Sequence, residues 1–167
     1  GDSISSMKYY SANRLEDKII ARTGYTGEDG FEVFLPNEAA SDFWDKLLEL
    51  GAKPCGLGAR DNLRLEVCFP LYGHELSTDV TPLDSGLKWT VKLEKSQFVG
   101  KESLTNTPPS LRLVKLSLEK GIPRDGYSIE NTSGQKIGHI TSGTMSVSLG
   151  KGIALGLVER KHFPDSK

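Results

Sequence analysis

Residues 22–32 read RTGYTGEDGFE, a polar run with three glycines between two apolar stretches. The first of these two apolar stretches is at 19–23, directly before the glycine-rich run. At 31–35 apolar and polar side chains alternate, which places Glu32 and Phe34 together on the face opposite the apolar one. Two such stretches joined by a glycine-rich polar loop predict a β-hairpin.

Two helices are predicted after this hairpin. Asn37 suits the start of the first helix, and Gly51 suits a left-handed stop at its end. The second helix is predicted over 56–68, with Arg60 and Arg64 on one stripe. The apolar side chains of the first helix recur at helical spacing and are expected to be buried: Phe43, Trp44, Leu47 and Leu48.

The later part of the chain is rich in strands and turns. Residues 87–93 alternate like a strand, and the sequence NTPPS at 106–110 predicts a linker because two prolines remove backbone donors. A hairpin at 127–141 and a strand at 153–158 follow. We predict an α+β fold. Its parts are an α+β domain at 1–105, the linker at 106–110, and a small antiparallel β-barrel-like domain at 111–167.

Composition excludes several classes of function. The 167 residues carry 21 Lys and Arg against 22 Asp and Glu, so a balanced surface gives no general attraction to nucleic acid or to an anionic membrane. No apolar run approaches the roughly 20 residues that span a bilayer, which predicts a soluble protein. Cys55 and Cys68 do not form a C-x-x-C pair, and we interpret them as reduced thiols.

Common catalytic motifs are not found. The sequence GLG at 56–58 begins like a dinucleotide fingerprint, but Asp61 stands where the third glycine belongs. Neither a phosphate-binding P-loop nor a G-x-S-x-G nucleophile motif occurs. The histidines are too far apart in sequence for metal-ligand spacing, so no metal site is predicted: His74, His139 and His162.

Two charged residues stand in unusual settings. Glu32 either belongs to a face that simply meets water or lines a cleft beside Phe34, where a carboxylate can accept two parallel N–H donors from a planar amino-heterocycle. Arg60 opens a helix whose dipole disfavours a cation, so it needs either a carboxylate such as Asp61 or Glu66, or an anionic ligand.

Two tyrosines in glycine-flanked loops are further candidates. Tyr25 lies in the loop of the first hairpin, and Tyr72 lies in the sequence PLYGHE at 70–75. Each tyrosine either stacks on a ligand ring or caps the core.

Three motifs together resemble the T-protein of the glycine cleavage system, a folate-dependent aminomethyltransferase. They are RTGYTGEDGFE at 22–32, GLGARDNLRLE at 56–66 and PLYGHE at 70–75. Shorter segments also match that family, and the similarity runs from about residue 19 to residue 158. Residues 24–32 favour this family over the folate-binding region of a dimethylglycine or sarcosine dehydrogenase-like protein. A non-catalytic folate-binding module stays open as a second alternative.

The resemblance implies an activity and a set of residues. The aminomethyl carbon on the lipoyl arm of H-protein would pass to tetrahydrofolate, with release of ammonia and formation of 5,10-methylenetetrahydrofolate. Glu32 and Arg60 would be the folate-binding carboxylate and arginine, and Tyr25 and Tyr72 would be weaker ring contacts. The aspartate that is central to transfer in the family has no counterpart here, so no catalytic residue is assigned and the chain alone is expected to be inactive.

The resemblance also implies partners and a compartment. These are the lipoylated H-protein and the other glycine cleavage components, in a bacterial cytoplasm or a mitochondrial matrix. The family continues into further barrel strands after the point that matches residue 167, so the resemblance implies that the barrel at 111–167 is truncated. An incomplete barrel exposes strand edges, so we expect dimerisation or strand exchange.

Overall fold

The structure is a computed structural model that describes residues 4–162. The chain divides into two compact units, residues 1–67 and 68–167. Within the described residues, each unit contains one antiparallel sheet together with helices, which confirms the predicted mixture of helix and antiparallel sheet. No helix in residues 4–162 has both the length and the apolar composition that crossing a membrane requires.

The first unit contains the predicted hairpin. Its strands and helices are β1 (Ala12–Leu15), β2 (Lys18–Ala21), β3 (Glu32–Phe34), α1 (Asn37–Glu49) and α2 (Leu57–Glu66), after a short 3-10 helix at Ile4–Ser6. β2 and β3 pair antiparallel, with Ile19 opposite Phe34 and Ala21 opposite Glu32. The sheet order is β1-β2-β3, and β1 is a strand that the sequence did not predict.

Helix α1 has the predicted limits but not the predicted burial. It begins at Asn37, and Gly51 follows it with φ of +92°, a left-handed conformation that glycine adopts without steric cost. The expectation that its apolar stripe is buried was wrong, since Trp44 is 50% exposed and Leu48 is 38% exposed. Helical periodicity identifies an apolar face, but burial requires a second surface against that face.

The second unit is built on a four-stranded sheet in the order β4-β7-β6-β5. Its elements are a 3-10 helix (Lys88–Thr90), α3 (Lys101–Asn106), β4 (Leu111–Leu118), β5 (Ser128–Glu130), β6 (Lys136–Ser146), β7 (Lys151–Glu159) and a 3-10 helix (Arg160–His162). The hairpin predicted at 127–141 is confirmed. Its turn is held by Asn131, whose Oδ1 accepts from the backbone N–H groups of Ser133 and Gln135.

Strand β7 forms the core of this unit because it lies between β4 and β6. Leu155, Leu157 and Val158 are at most 1% exposed. Gly152 and Gly156 lie on the face of β7 opposite the leucines, and their lack of side chains lets other parts of the chain pack closely against that face. A Cβ at Gly152 would lie 2.4 Å from the carbonyl oxygen of Gly121, so small residues permit this close packing.

The strand predicted at 87–93 was wrong. Residues Lys88–Thr90 form a 3-10 helix in which the Thr90 hydroxyl donates to the carbonyl of Leu87 at 2.8 Å. The alternating pattern is compatible with a strand, but a strand also needs a neighbouring strand for its backbone groups. The linker predicted at 106–110 begins inside α3, since Asn106 is the last residue of that helix, and its role as a domain boundary stays a prediction.

Candidate functional site

The loop between β2 and β3 is closed by an ion pair between its two ends. The Arg22 guanidinium donates to both carboxylate oxygens of Asp29, at 2.9 and 2.8 Å. These hydrogen bonds hold the pKa of Asp29 below its ordinary value. Arg22 also donates to the carbonyl of Met7 at 2.6 Å, so the loop is tied to the segment before β1. A planar ion pair with two hydrogen bonds fixes the relative orientation of the two side chains as well as bringing their opposite charges together.

Glu32 is the first residue of β3 and is exposed. Its Oε2 accepts a hydrogen bond from the Thr23 hydroxyl at 2.5 Å. Phe34 lies two residues further along the strand and is 58% exposed, on the same face as Glu32. The sequence did not single out Thr23, because its partner lies nine residues away across the hairpin.

Arg60 lies in the first turn of α2, and its guanidinium carbon is 4.5 Å from the centre of the Tyr25 ring. A cation over an exposed aromatic face is worth about 0.5–1 kcal/mol. Of the two carboxylates that we considered as partners of Arg60, Asp61 instead accepts from Arg64 at 2.7 Å. Arg60 lies near the N-terminus of α2, where the helix dipole disfavours a cation, and the Tyr25 ring provides a contact for its guanidinium there.

The loop also packs against the C-terminal end of α2. Gly27 has φ of +77°, and a Cβ at this position would lie 2.3 Å from Cγ1 of Val67. Val67 is seven residues after Arg60, which is two helical turns or about 10 Å along the axis. The loop therefore contacts α2 at two points and lies along it. Its close approach at Gly27 explains why glycine occupies that position.

A chain of contacts links the two residues predicted to bind folate. Glu32 accepts from Thr23, and two residues later Tyr25 lies against Arg60. Both charged groups are thus attached to the same short loop, which is held by the ion pair at its ends. That they share a concave surface stays a prediction.

Tyr72 lies in the second unit and is 70% exposed. It is part of a tight turn in which the N–H of Gly73 donates to the carbonyl of Leu76 at 2.7 Å, and Gly73 has φ of +92°. The turn presents the tyrosine ring to solvent. Its proposed contact with a ligand rests on the motif alone.

A buried carboxylate holds this turn in place. Glu75 is fully buried, its Oε2 accepts from the N–H of Leu71 at 2.9 Å, and its Oε1 accepts from the Thr141 hydroxyl at 2.5 Å. His74 Nδ1 lies 2.7 Å from the carbonyl oxygen of Thr141. Thr141 lies at an irregularity in the β6–β7 pairing, between Ile140 and Ser142. Such a bulge turns a side chain out of the regular alternation.

The sequence analysis did not select Glu75. The only local signal was an acidic residue inside the otherwise apolar and aromatic motif at 70–76. Buried carboxylates require partners, and one side-chain partner of Glu75, the Thr141 hydroxyl, is 66 residues away in the chain.

The second unit also has an open surface depression of about 600 Å³ at the start of α3. Its lining includes Gln97, Phe98 and Lys101. None of the four residues predicted to bind folate contributes to this lining, so the depression does not bear on their assignment.

Two family profiles match the chain. The profile described as the GCVT N-terminal domain matches residues 3–95, and the profile described as the glycine cleavage T-protein C-terminal barrel domain matches residues 112–166.

Several aminomethyltransferases are similar to the chain over most of its length. That of Deinococcus deserti is 53% identical over 140 residues, which cover 84% of this chain and 38% of that protein. The aminomethyltransferase of Thermus thermophilus is 54% identical over 140 residues, which cover 84% of this chain and 40% of that protein. That of Caldanaerobacter subterraneus is 47% identical, with 96% of this chain and 46% of that protein covered. The chain thus spans less than half the length of these relatives.

A solved structure has the same fold. The crystal structure of glycine cleavage system aminomethyltransferase T from Bartonella henselae superposes with a TM-score of 0.86 at 35% identity. The match covers 94% of this chain and 46% of that one.

Proposed function

The chain belongs to the glycine cleavage T-protein family of aminomethyltransferases, and we propose from this membership that it is part of an enzyme of that activity. The enzyme moves the aminomethyl carbon from the lipoyl arm of H-protein to tetrahydrofolate. Ammonia leaves, and 5,10-methylenetetrahydrofolate forms. The observation that carries the proposal is the identity of 53% with an aminomethyltransferase over 84% of this chain.

The reaction depends mainly on positioning. The folate N5 attacks the methylene carbon as the amine leaves as ammonia, and N10 then replaces the lipoyl sulfur, which leaves as the free thiol. The protons lost from N5 and N10 balance those gained by the amine and the sulfur, so no side chain of the protein has to form a covalent bond. Holding N5 against the carbon and stabilising the developing positive charge supplies most of the rate. A rigid loop that carries a carboxylate and orients an arginine suits the binding part of this task.

We propose that Glu32 accepts N–H donors from the pterin ring and that Arg60 contacts the folate with the plane of its guanidinium. The carboxylate is exposed and oriented, and the guanidinium lies against Tyr25, which supports both assignments. Tyr25 and Tyr72 are proposed as ring contacts. Tetrahydrofolate is a substrate in this reaction, and none of the residues proposed to bind it performs the chemical step.

The partners and the location are further proposals. In the family the carbon arrives on lipoylated H-protein, so we propose H-protein as the direct partner and the other glycine cleavage components as its suppliers. The similar proteins named above are bacterial, which favours the cytoplasm for a bacterial source over a mitochondrial matrix. Dimerisation through exposed strand edges stays a prediction.

Activity is expected only in the context of a longer protein. The 167-residue chain, supplied with tetrahydrofolate and aminomethylated H-protein, should bind folate weakly and form no methylenetetrahydrofolate. A chimera that carries this chain in place of the matching 40% of the Thermus thermophilus enzyme should form it. The measurement is the rate of methylenetetrahydrofolate production. A folded but inactive chimera would contradict the proposed function, and steady turnover by the chain alone would contradict its dependence on the remaining sequence.

Replacing Glu32 by glutamine is expected to weaken tetrahydrofolate binding by about 1.5–3 kcal/mol, or roughly 10- to 150-fold, because a charged acceptor is lost while the shape is kept. Equilibrium dialysis under anaerobic conditions measures the dissociation constant. Glu28→Gln is the matched control, since it makes the same change four residues earlier, in the loop that leads into β3. Equal dissociation constants for Glu32→Gln and the unmutated chain would assign Glu32 to a face that simply meets water.

A further inference from the structure

The contact between Thr23 and Glu32 has a direct consequence for ligand binding. We propose that Thr23 is a positioning residue, which orients the Glu32 carboxylate for a ligand that presents two parallel N–H donors. This inference rests on the proposed function and extends it to a residue that touches the carboxylate rather than the substrate.

An exposed glutamate is poorly oriented by itself. Its side chain has several rotatable bonds, and fixing a long polar side chain of this type costs rotamer freedom. Glu32 begins a strand and is exposed, so packing does not restrict it. A carboxylate that is oriented before binding avoids this cost when the ligand arrives.

Thr23 is well suited to provide that orientation. Threonine is branched at Cβ and is stiff at χ1, so its backbone determines where the hydroxyl lies. The backbone is held by the preceding residue, because Arg22 pairs with Asp29 and donates to the carbonyl of Met7. The hydroxyl therefore has a fixed support on one side of the hairpin and reaches Oε2 on the other.

The hydrogen-bond arrangement leaves the carboxylate able to bind. A carboxylate offers about four lone-pair sites on two oxygens. The Thr23 hydroxyl uses one site on Oε2, so Oε1 and the second site on Oε2 stay available to accept from a ligand. Two parallel N–H groups on a planar amino-heterocycle match this pair of acceptors.

Tyr25 supports Arg60 in a similar way. It lies two residues after Thr23 and contacts the Arg60 guanidinium at 4.5 Å. One segment of the loop thus carries a support for each charged group. Because Thr23 acts through Glu32 and not through Arg60, the two supports can be separated by mutation.

The test is a double-mutant cycle on the 167-residue chain with tetrahydrofolate as the probe. We expect Thr23→Val to weaken binding about fivefold to tenfold, and Thr23→Ser, which keeps the hydroxyl, to bind nearly as the unmutated chain does. In the Glu32→Ala background, where no carboxylate is left to orient, Thr23→Val is expected to cause no further loss. The melting temperature should be unchanged, because the hydrogen bond is exposed.

The possible failures are distinguishable. An equal loss from Thr23→Val with and without Glu32→Ala would overturn the positioning role while leaving folate binding intact. Loss of affinity in Thr23→Ser as large as in Thr23→Val would overturn it as well. If Glu32→Gln binds normally, or if the unmutated chain does not bind, the proposed folate site itself is wrong and the inference falls with it.

Discussion

Replacing Glu75 by leucine is expected to lower the free energy of unfolding of the second unit by about 2–4 kcal/mol. The carboxylate is fully buried and accepts from the Leu71 N–H and from the Thr141 hydroxyl. Leucine fills similar space but offers no acceptor, so both donors lose their partner. Chemical denaturation followed by circular dichroism measures the change.

Glu75→Gln is the matched control for this prediction. Its amide oxygen can still accept from Leu71, and its amide nitrogen can donate to the Thr141 oxygen, so we expect a loss of only about 1 kcal/mol. Amide exchange should report the same order, with faster exchange of residues 71–76 in the leucine variant. Equal stability of the leucine and glutamine variants would show that the hydrogen bonds of Glu75 do not hold the turn.

Replacing Gly138 by alanine is expected to destabilise the second unit by about 2–3 kcal/mol. The added Cβ would lie 2.1 Å from the carbonyl oxygen of Leu157 and 2.8 Å from Cα of Val158. Both are backbone atoms of β7, and Gly138 is paired with Val158 in the sheet. Relief of the clash requires the two strands to separate, which disrupts their hydrogen bonds.

The control for Gly138→Ala is Ser117→Ala on β4, which changes an exposed strand residue in the same sheet. Its stability should stay within about 0.5 kcal/mol of the unmutated chain. Thermal and chemical denaturation compare the two variants. If Gly138→Ala and Ser117→Ala have the same melting temperature, the pairing of β6 with β7 is looser at this position than the structure indicates.

Local sequence signals were sufficient for the first hairpin and for the limits of α1. The glycine-rich run at 22–32 lies between two short stretches of strand character, and β2 and β3 pair as this pattern predicts. Helix α1 begins at Asn37 as expected, but Pro36 occupies the N-cap position and no side chain caps the helix, so the expected capping by Asn37 was wrong. Gly51 follows the end of α1 in the left-handed conformation that its position predicts. The hairpin of β5 and β6 was predictable from local signals as well.

Signals of the same strength failed where a distant surface decides the outcome. The alternation at 87–93 resembles a strand, but the structure contains a 3-10 helix at Lys88–Thr90. The apolar stripe of α1 was expected to be buried, but Trp44 is half exposed. In both cases the pattern shows that the segment could pair with a strand or pack on an apolar surface. It does not show whether folding places such a strand or surface beside it.

For the candidate site, the motifs were sufficient to select residues but not to describe their contacts. Glu32, Arg60 and Tyr25 were identified from unusual charge settings and from family resemblance. That Tyr25 lies against Arg60, and that Asp61 pairs with Arg64 rather than with Arg60, became known only from the structure. Side-chain partners at such distances depend on how a loop is laid along a helix.

The sequence by itself determined some short-range features of this protein: the limits of α1, the hairpins β2–β3 and β5–β6, the family to which the chain belongs, and which polar residues merit attention. Only the tertiary structure decided that Thr23 holds Glu32 and that Glu75 is buried against Thr141. Backbone preferences and turn chemistry act over a few residues, so they can be read locally. A buried or oriented polar group depends on partners that folding brings from elsewhere in the chain.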